Sequence, residues 1–350
     1  MAINLTTKYS EKIAERFSLK SITDAYAGKD FEFTGVKSVK IYSVDTVPIV
    51  DYTRSGTSRF GTLNELGDTV QEISMTQDKG FNFSIDAGNA AEQLNIKRVS
   101  QCLKRNWDER ATPLIDKYRF EKWISGCGLV AAAPSALTKS NIIENIMLGS
   151  SAMNNALVPS GSRTLFVRES LSINAKLSTE IIGLEKLGIE AVSRGHIGKL
   201  DGMPVICVPD VYFPAGVNFF IKYKNSTVDP MKLKTMRVHK NPMGIDGDVG
   251  ECRFMFDDFI KGTQVNGLYV NVAAANVVAN PVIAISANSA TITCGTSGAV
   301  IKYTLNGTDP KTSSEALTYS AAVPLASGQT IRCFASKAEL LNSGVIDAKN

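Results

Sequence analysis

The spacing of hydrophobic positions changes repeatedly along this chain, and the changes separate a β-rich arm, a mixed body and a small β tail. Residues 9–17 place Ile13 and Phe17 four apart, which predicts a short helix. From 37 to 52 the period falls toward two, with Val39, Ile41 and Val44 set among polar residues until Pro48 interrupts, so a strand is expected. A second β run begins at Thr69, and Asp78-Lys79-Gly80 inside it predicts a turn. Between the two runs lies a polar, glycine-bearing stretch, 53–68, with the isolated hydrophobes Phe60, Leu63 and Leu66. A two-stranded ribbon of this kind is marginal in water by itself, so the arm needs a partner surface.

Residues 89–111 turn to helical spacing, with Ala91, Leu94, Val99, Cys102, Leu103 and Trp107 on one broad face. Such a helix would be about 33 Å long. Lys97, Arg98, Lys104, Arg105 and Arg110 occupy much of its other side, which suits either solvent or a polyanion. Thr112-Pro113 supplies an N-cap followed by proline at the first helical position, predicting a kink or restart before a second helix through Asp116, Tyr118 and Trp123. Another helix is expected over 138–157, with Ile142, Ile143, Ile146 and Met147 packed inward.

A βαβ-like stretch follows: RTLFVR, the helical SLSINAKL, the apolar MPVICVP and then the strand NFFIKYK. The body returns to β structure in KTMRVH and GECRFMFDDFIKGTQVNGLYVNVA, where Gln264 to Gly267 reads as a hairpin turn. Small residues ending at Pro281 mark a linker, taken as 276–280. Beyond it, ATITC, AVIKYTL and TIRCFAS alternate with turn signals at Asn306-Gly307 and Asp309-Pro310, which predicts a small all-β sandwich over 281–350.

The 350 residues are 44% hydrophobic and 21% charged, ample for a large domain plus a smaller one. No apolar run approaches the roughly 20 residues needed to span a bilayer, and the polar N-terminus lacks a secretory core; no membrane partner and no export by that route are expected. With 38 basic against 34 acidic residues, a net charge of +4 provides no general pull on nucleic acid, so any DNA contact must be local. The six cysteines lack CxxC spacing and read as reduced, mostly buried thiols.

Candidate chemistry is sparse. His196 and His239 have no HExxH or CxxC companions. Gly244, Gly247 and Gly250 do not have phosphate-loop spacing, and Asp246, Asp248 and Glu251 lack the other ligands of a calcium loop. Asp257 and Asp258 are adjacent, which within a strand would send them to opposite faces. Sequons at Asn4, Asn82, Asn225 and Asn306 read as chance matches. No catalytic residue, cofactor or metal site is expected, and the chain does not read as an enzyme.

Several separated motifs, in order, carry a resemblance. TTKYSEKIAERFSLKSITDAYAGKDFEFTGVKSVKIYSVDTVPIVDYTRSG, the β arm through FSIDAGN, NWDERATPLIDKYRF, VPSGSRTLFVRE, GKLDGMPVICVP and DDFIKGTQVNGLYVNVA closely resemble tailed-bacteriophage major capsid proteins over residues 1–275. The resemblance implies an α+β, HK-ninety-seven-like fold: N-terminal arm 1–36, extended β loop 37–88, spine helix 89–111, axial domain about 139–224 and a peripheral-domain return at 234–272. It makes Phe60, Leu63 and Leu66 candidate intersubunit anchors, with local loop packing as the alternative. YTLNGTDP, LTYSAAVPLASGQTIRCFAS and NSG are similar to the immunoglobulin-like domain at the C-terminus of chitobiase-type enzymes, through Tyr303, Gly307, Asp309, Pro310, Tyr319, Gly328 and Ser343. These residues specify a fold more than a sugar site, and Tyr303 and Tyr319 are weak candidates for facing a glycan.

These resemblances imply a major capsid protein. It would self-assemble as pentamers and hexamers into an icosahedral shell around a dsDNA genome, with portal and scaffold or cement proteins as partners and non-specific DNA contacts inside. Assembly would take place in the bacterial host cytoplasm and the product would reside in the virion. The C-terminal domain would be displayed outside, with glycan or surface adhesion as its suggested role. The alternatives are an encapsulin-like nanocompartment shell and a carbohydrate-binding protein.

Overall fold

The computed structural model describes residues 20–28, 38–44, 47, 49–61, 63, 65–88, 98–178 and 198–350. The helix expected at 9–17, most of the N-terminal arm, residues 89–97 of the expected spine helix, His196 and Asn4 lie outside them. In chain order the first elements are β1 (Ser38–Val44), β2 (Asp68–Ser74), β3 (Gln77–Asp86), α1 (Val99–Asn106), a π turn (Trp107–Ala111), α2 (Thr112–Ser125) and β4 (Leu129–Ala133). Then come α3 (Ile142–Asn155), β5 (Arg163–Arg168), α4 (Glu169–Lys176), β6 (Lys199–Leu200), β7 (Met203–Val208), β8 (Val217–Tyr223) and β9 (Thr227–Val228). The body closes with β10 (Met231–Lys240), β11 (Gly247–Phe256), β12 (Phe259–Ile260) and β13 (Leu268–Ala273). The tail holds β14 (Val282–Ser286), β15 (Ser289–Thr293), β16 (Val300–Thr304), β17 (Leu317–Thr318), β18 (Val323–Pro324), β19 (Thr330–Ser336) and β20 (Ile346–Lys349).

The chain divides into two compact units. The first comprises Met1–Ala25, Met75–Arg119 and Asp229–Asp257. Its core is an antiparallel sheet ordered β10-β11-β3, with α1 and the start of α2 on one face. Period-two alternation sends Phe81, Phe83 and Ile85 of β3 and Cys252, Phe254 and Phe256 of β11 to that face, where Val99, Leu103, Ala111 and Ile115 meet them. Gly250 keeps the layers close: a Cβ there would lie 2.8 Å from the Phe83 ring and 3.0 Å from Val99.

Two expectations are corrected in this unit. Asp78-Lys79-Gly80 is not a turn, because β3 runs straight through it, with Asp78 opposite Met255 and Gly80 opposite Arg253. A full ladder to β11 plus the burial of the phenylalanines outweighs local turn chemistry. Of the kink or restart expected at Pro113, the restart does not occur, because Thr112, expected as an N-cap, is itself helical (φ −59°, ψ −51°). Thr112 donates its N–H to the carbonyl of Trp107, five residues back, so a π turn carries the backbone from α1 into α2. Proline lacks an N–H and crowds the carbonyl four residues earlier, and a widened turn just before it relieves both problems. At the other end, Arg98 is extended (φ −96°, ψ 125°), so the described helix begins at Val99.

The second unit comprises Tyr26–Ser74, Phe120–Val228 and Asp258–Asn350. Its main sheet is ordered β4-β13-β8-β5-β7-β6. The pair β5 and β7 is parallel across α4, as the βαβ pattern predicts. Alternation along β5 and β8 places Leu165, Val167, Phe219 and Ile221 against Ile142, Ile146 and Met153 of α3 and Ala175 of α4. The intervening Phe166 and Phe220 join Tyr26, Phe120, Trp123 and Phe213 on the opposite face, with Phe120 and Phe166 edge-on at 5.3 Å. Met147, expected inward, is 40% exposed on α3, where Ile142, Ile143, Ile146 and Met153 are the buried apolar positions.

The expected hairpin at Gln264 to Gly267 is also corrected. Gly262–Gly267 is a 3₁₀ segment, and the strand before it, β12, pairs with β9. The preceding strand is therefore engaged elsewhere before the chain enters β13. The tail is a sandwich of β14-β15-β18 on β17-β16-β19-β20, closed around Ala290, Ile292, Val323, Leu325, Ile331 and Cys333. Residues 276–280, read as a linker from their small side chains, are ordered: Val277 and Val278 are buried, and Val278 donates its N–H to Leu341.

Candidate assembly surfaces

The arm is the antiparallel pair β1 and β2, in register from Ser38 opposite Ser74 to Val44 opposite Asp68. Its tip is shaped by its own backbone bonds, from Thr53 to Arg59 (3.0 Å) and from Gly61 to Ser58 (3.1 Å). Gly56 and Gly61 take φ values of +92° and +82°, open to glycine at no steric cost. Phe60 rests edge-on against Tyr52 with centroids 4.9 Å apart, yet it remains 82% exposed. Leu63 is 98% exposed and Leu66 56%, and Val47, Ile49 and Val50, also between β1 and β2, are exposed as well. Covering a large apolar side chain is worth about 1.5–3 kcal/mol, and here that surface stays in solvent.

The arm's root is held by Gln71. Its amide nitrogen donates to the Ile260 carbonyl at 2.9 Å, and its oxygen accepts the Gly262 N–H at 3.0 Å. Both bonds tie β2 to the chain at and just after β12 and so fix where the ribbon leaves the body.

Several titratable side chains among the described residues hold the backbone and one another in place. The Asp257 carboxylate accepts from Tyr118 Oη at 2.7 Å and from Thr76 N and Oγ1 at 2.8 Å each. Asp116 accepts from Ser21 Oγ, Ile22 N and Thr23 Oγ1, while Arg119 donates to Thr23 and Asp24. On the open face of β10-β11-β3, Arg253 forks onto Asp78, and its hydrogen bonds hold that carboxyl below the usual range. His239 meets Glu251 at 3.1 Å on the same exposed sheet. Asp246 lies in the β10–β11 turn and Asp248 is paired within β11, and among the described residues no group of three or more His, Cys, Asp or Glu could hold a metal. The cysteines are unpaired, and burial pushes the Cys333 thiol up to about 12. Among the described residues no helix is long and apolar enough to cross a membrane.

Tyr303 and Tyr319 sit against the hydrophobic cluster of the sandwich, with ring centroids 6.4 Å apart, and the Tyr319 hydroxyl accepts the Ile292 N–H. Their rings serve the packing of the domain. What sequence reasoning missed is Gln71 and the carboxylates Asp116 and Asp257, whose partners lie up to 191 positions away. No local pattern marks such residues.

Residues 284–346 match the Chitobiase/beta-hexosaminidase C-terminal domain family. A search of curated proteins found no match. Among solved structures the chain is similar to one from Mycobacterium phage Che8, at TM-score 0.61 and 14% identity, covering 77% of this chain and 98% of that one. It is also similar to the capsid of cyanophage P-SCSP1u, at TM-score 0.65 and 10% identity, with 77% and 93% covered. A third is the capsid of Helicobacter pylori bacteriophage KHP30, at TM-score 0.57 and 11% identity, with 77% and 95% covered. The fold is that of phage capsid proteins, mixed α+β, joined to an immunoglobulin-like C-terminal domain.

Proposed function

We propose that this chain is the major coat subunit of a phage head. Many copies associate through the arm into a closed icosahedral shell of pentamers and hexamers around a dsDNA genome. The observation that carries this reading is the apolar arm tip, which the chain's own fold leaves in solvent and a neighbouring copy would cover. Repeated heterologous contacts whose rotations close produce rings and shells, and an arm that reaches onto a neighbouring copy would supply such a contact. The capsid fold supports the same reading. Portal and scaffold or cement proteins complete the particle, which assembles in the host cytoplasm, and the C-terminal sandwich faces outward.

The test is the triple variant Phe60→Ser, Leu63→Ser, Leu66→Ser. All three side chains are largely exposed, so the subunit keeps its fold by circular dichroism and thermal unfolding. The expected outcome in sedimentation is large particles for the wild type and unassembled subunits for the variant. Normal shells from the variant contradict the role given to the arm.

A further inference from the structure

The sheet edge at β4 would be open without the tail. β4 ends the six-stranded sheet, with β13 on its inner side, and an unpaired strand edge is a template for unwanted pairing. Here the sandwich and its connecting segment occupy it. Lys311 Nζ donates to the Cys127 carbonyl at 2.6 Å, and the Val345 N–H donates to the Gly128 carbonyl at 2.8 Å. Asn280 bridges the two parts: its Nδ2 donates to the Val130 carbonyl at 3.2 Å and its Oδ1 accepts the Gly344 N–H at 2.8 Å. Gly344 is needed for this approach, because a Cβ there would lie 2.9 Å from the Gly128 oxygen and 3.3 Å from the Val130 nitrogen. The connection is stitched as well, by Val278 N–H to the Leu341 carbonyl and Leu341 N–H to the Asn276 carbonyl, 2.9 Å each.

The same docked face reaches the arm. A Cβ on Gly262 would be 3.5 Å from Asp309 Cβ, and Gly262 is the residue whose N–H Gln71 holds. Asp309 is itself buried and fixed, accepting from Lys311 N and Thr312 Oγ1. The order of contacts is therefore β2, through Gln71, to Gly262, to the Asp309–Lys311 turn, to Cys127 at the entrance of β4. Position 262 thus lies within van der Waals reach of both Gln71 of the arm root and Asp309 of the sandwich.

We infer that the C-terminal sandwich is an intramolecular brace, which caps the open edge of the main sheet and backs the root of the β1–β2 arm, so that the arm's exit direction depends on the dock. This rests on the arm being an assembly element, but the brace itself is a property of the single subunit. The desolvated Lys311 ammonium fits such a junction. It lies 5.7 Å from the Phe334 ring centroid, and burial lowers its pKa to about 8 against the opposing pull of Cys127 and Asp309. Arg332 acts on Asp309 from β19.

Hydrogen exchange on the unassembled full chain tests the brace without involving shell formation. In the wild type, the amides of Val278, Leu341, Gly344 and Val345 are protected and the amide of Gly262 exchanges slowly. Gly344→Ala wedges the dock, and exchange at Val278, Val345 and Gly262 rises about tenfold or more, as for loss of a hydrogen bond, while β15 and β19 stay protected. If that variant loses protection throughout, Lys311→Met, which removes one dock bond, decides by the same pattern. The brace is overturned if the wild-type dock amides exchange as an open tether does, or if either variant frees the dock while Gly262 stays unchanged. The assembly reading fails separately, through the serine-substituted arm.

Discussion

Asp116 shows how little of this molecule's polar framework belongs to local chemistry. It is 1% exposed and accepts from Ser21, Ile22 and Thr23 at 2.7, 2.9 and 2.5 Å. Asp116→Ala leaves those donors unmatched and is expected to destabilise the first unit by about 2–3 kcal/mol, read as a lower denaturation midpoint. Lys311 is the other informative residue, and its sign is opposite to that of an ordinary ion pair. Its folded pKa, about 8, lies below the unfolded 10.5. Between those values the unfolded chain binds more protons, so Lys311 makes stability rise with pH across that window. The difference in unfolding free energy between wild type and Lys311→Met, which cancels the opposing contribution of the raised cysteine thiols common to both, should rise across pH about 8 to 10.5 by the share of one proton. Neither role was legible in sequence, because Asp116 and Lys311 find their partners 93 and 184 positions away or more.

At the level of elements, periodicity carried far and punctuation misled. The βαβ unit, the helix over α3 and the strands of the tail follow directly from spacing, since burial of one face is what the spacing encodes. Asp78-Lys79-Gly80 and Gln264 to Gly267 failed as turns because non-local pairing, to β11 in one case and of β12 with β9 in the other, decided the backbone. Pro113 was correctly flagged as a problem for the helix; the answer, a π turn at Trp107–Ala111, is a matter of hydrogen-bond geometry that residue pattern does not encode. Close contact between layers provides a prediction at this scale. A Cβ at Gly149 on α3 would lie 2.7 Å from the Tyr269 ring and 3.1 Å from Ile221. Gly149→Ala should therefore lift the helix from β13 and β8 and cost about 1–3 kcal/mol, seen as a lower thermal midpoint with unchanged secondary structure.

For the whole molecule, the arm and the tail are complementary parts of one account. Phe60, Leu63 and Leu66 were identifiable as unplaced hydrophobes before any fold was known, because a polar loop gives them no helical or strand period. Their exposure follows from the same fact. The tail was legible as a sandwich but not as a docked one, since small residues at 276–280 look alike whether they swing free or pack tightly. An exposed apolar arm is a liability for a solitary protein and an asset for one that covers it with its neighbour. Electron microscopy of the purified chain under assembly conditions tests this most directly. Closed shells are expected, with a reconstruction that places Phe60, Leu63 and Leu66 under an adjacent subunit; persistent monomers under every condition, or shells with those three side chains left in solvent, would overturn the role given to the arm.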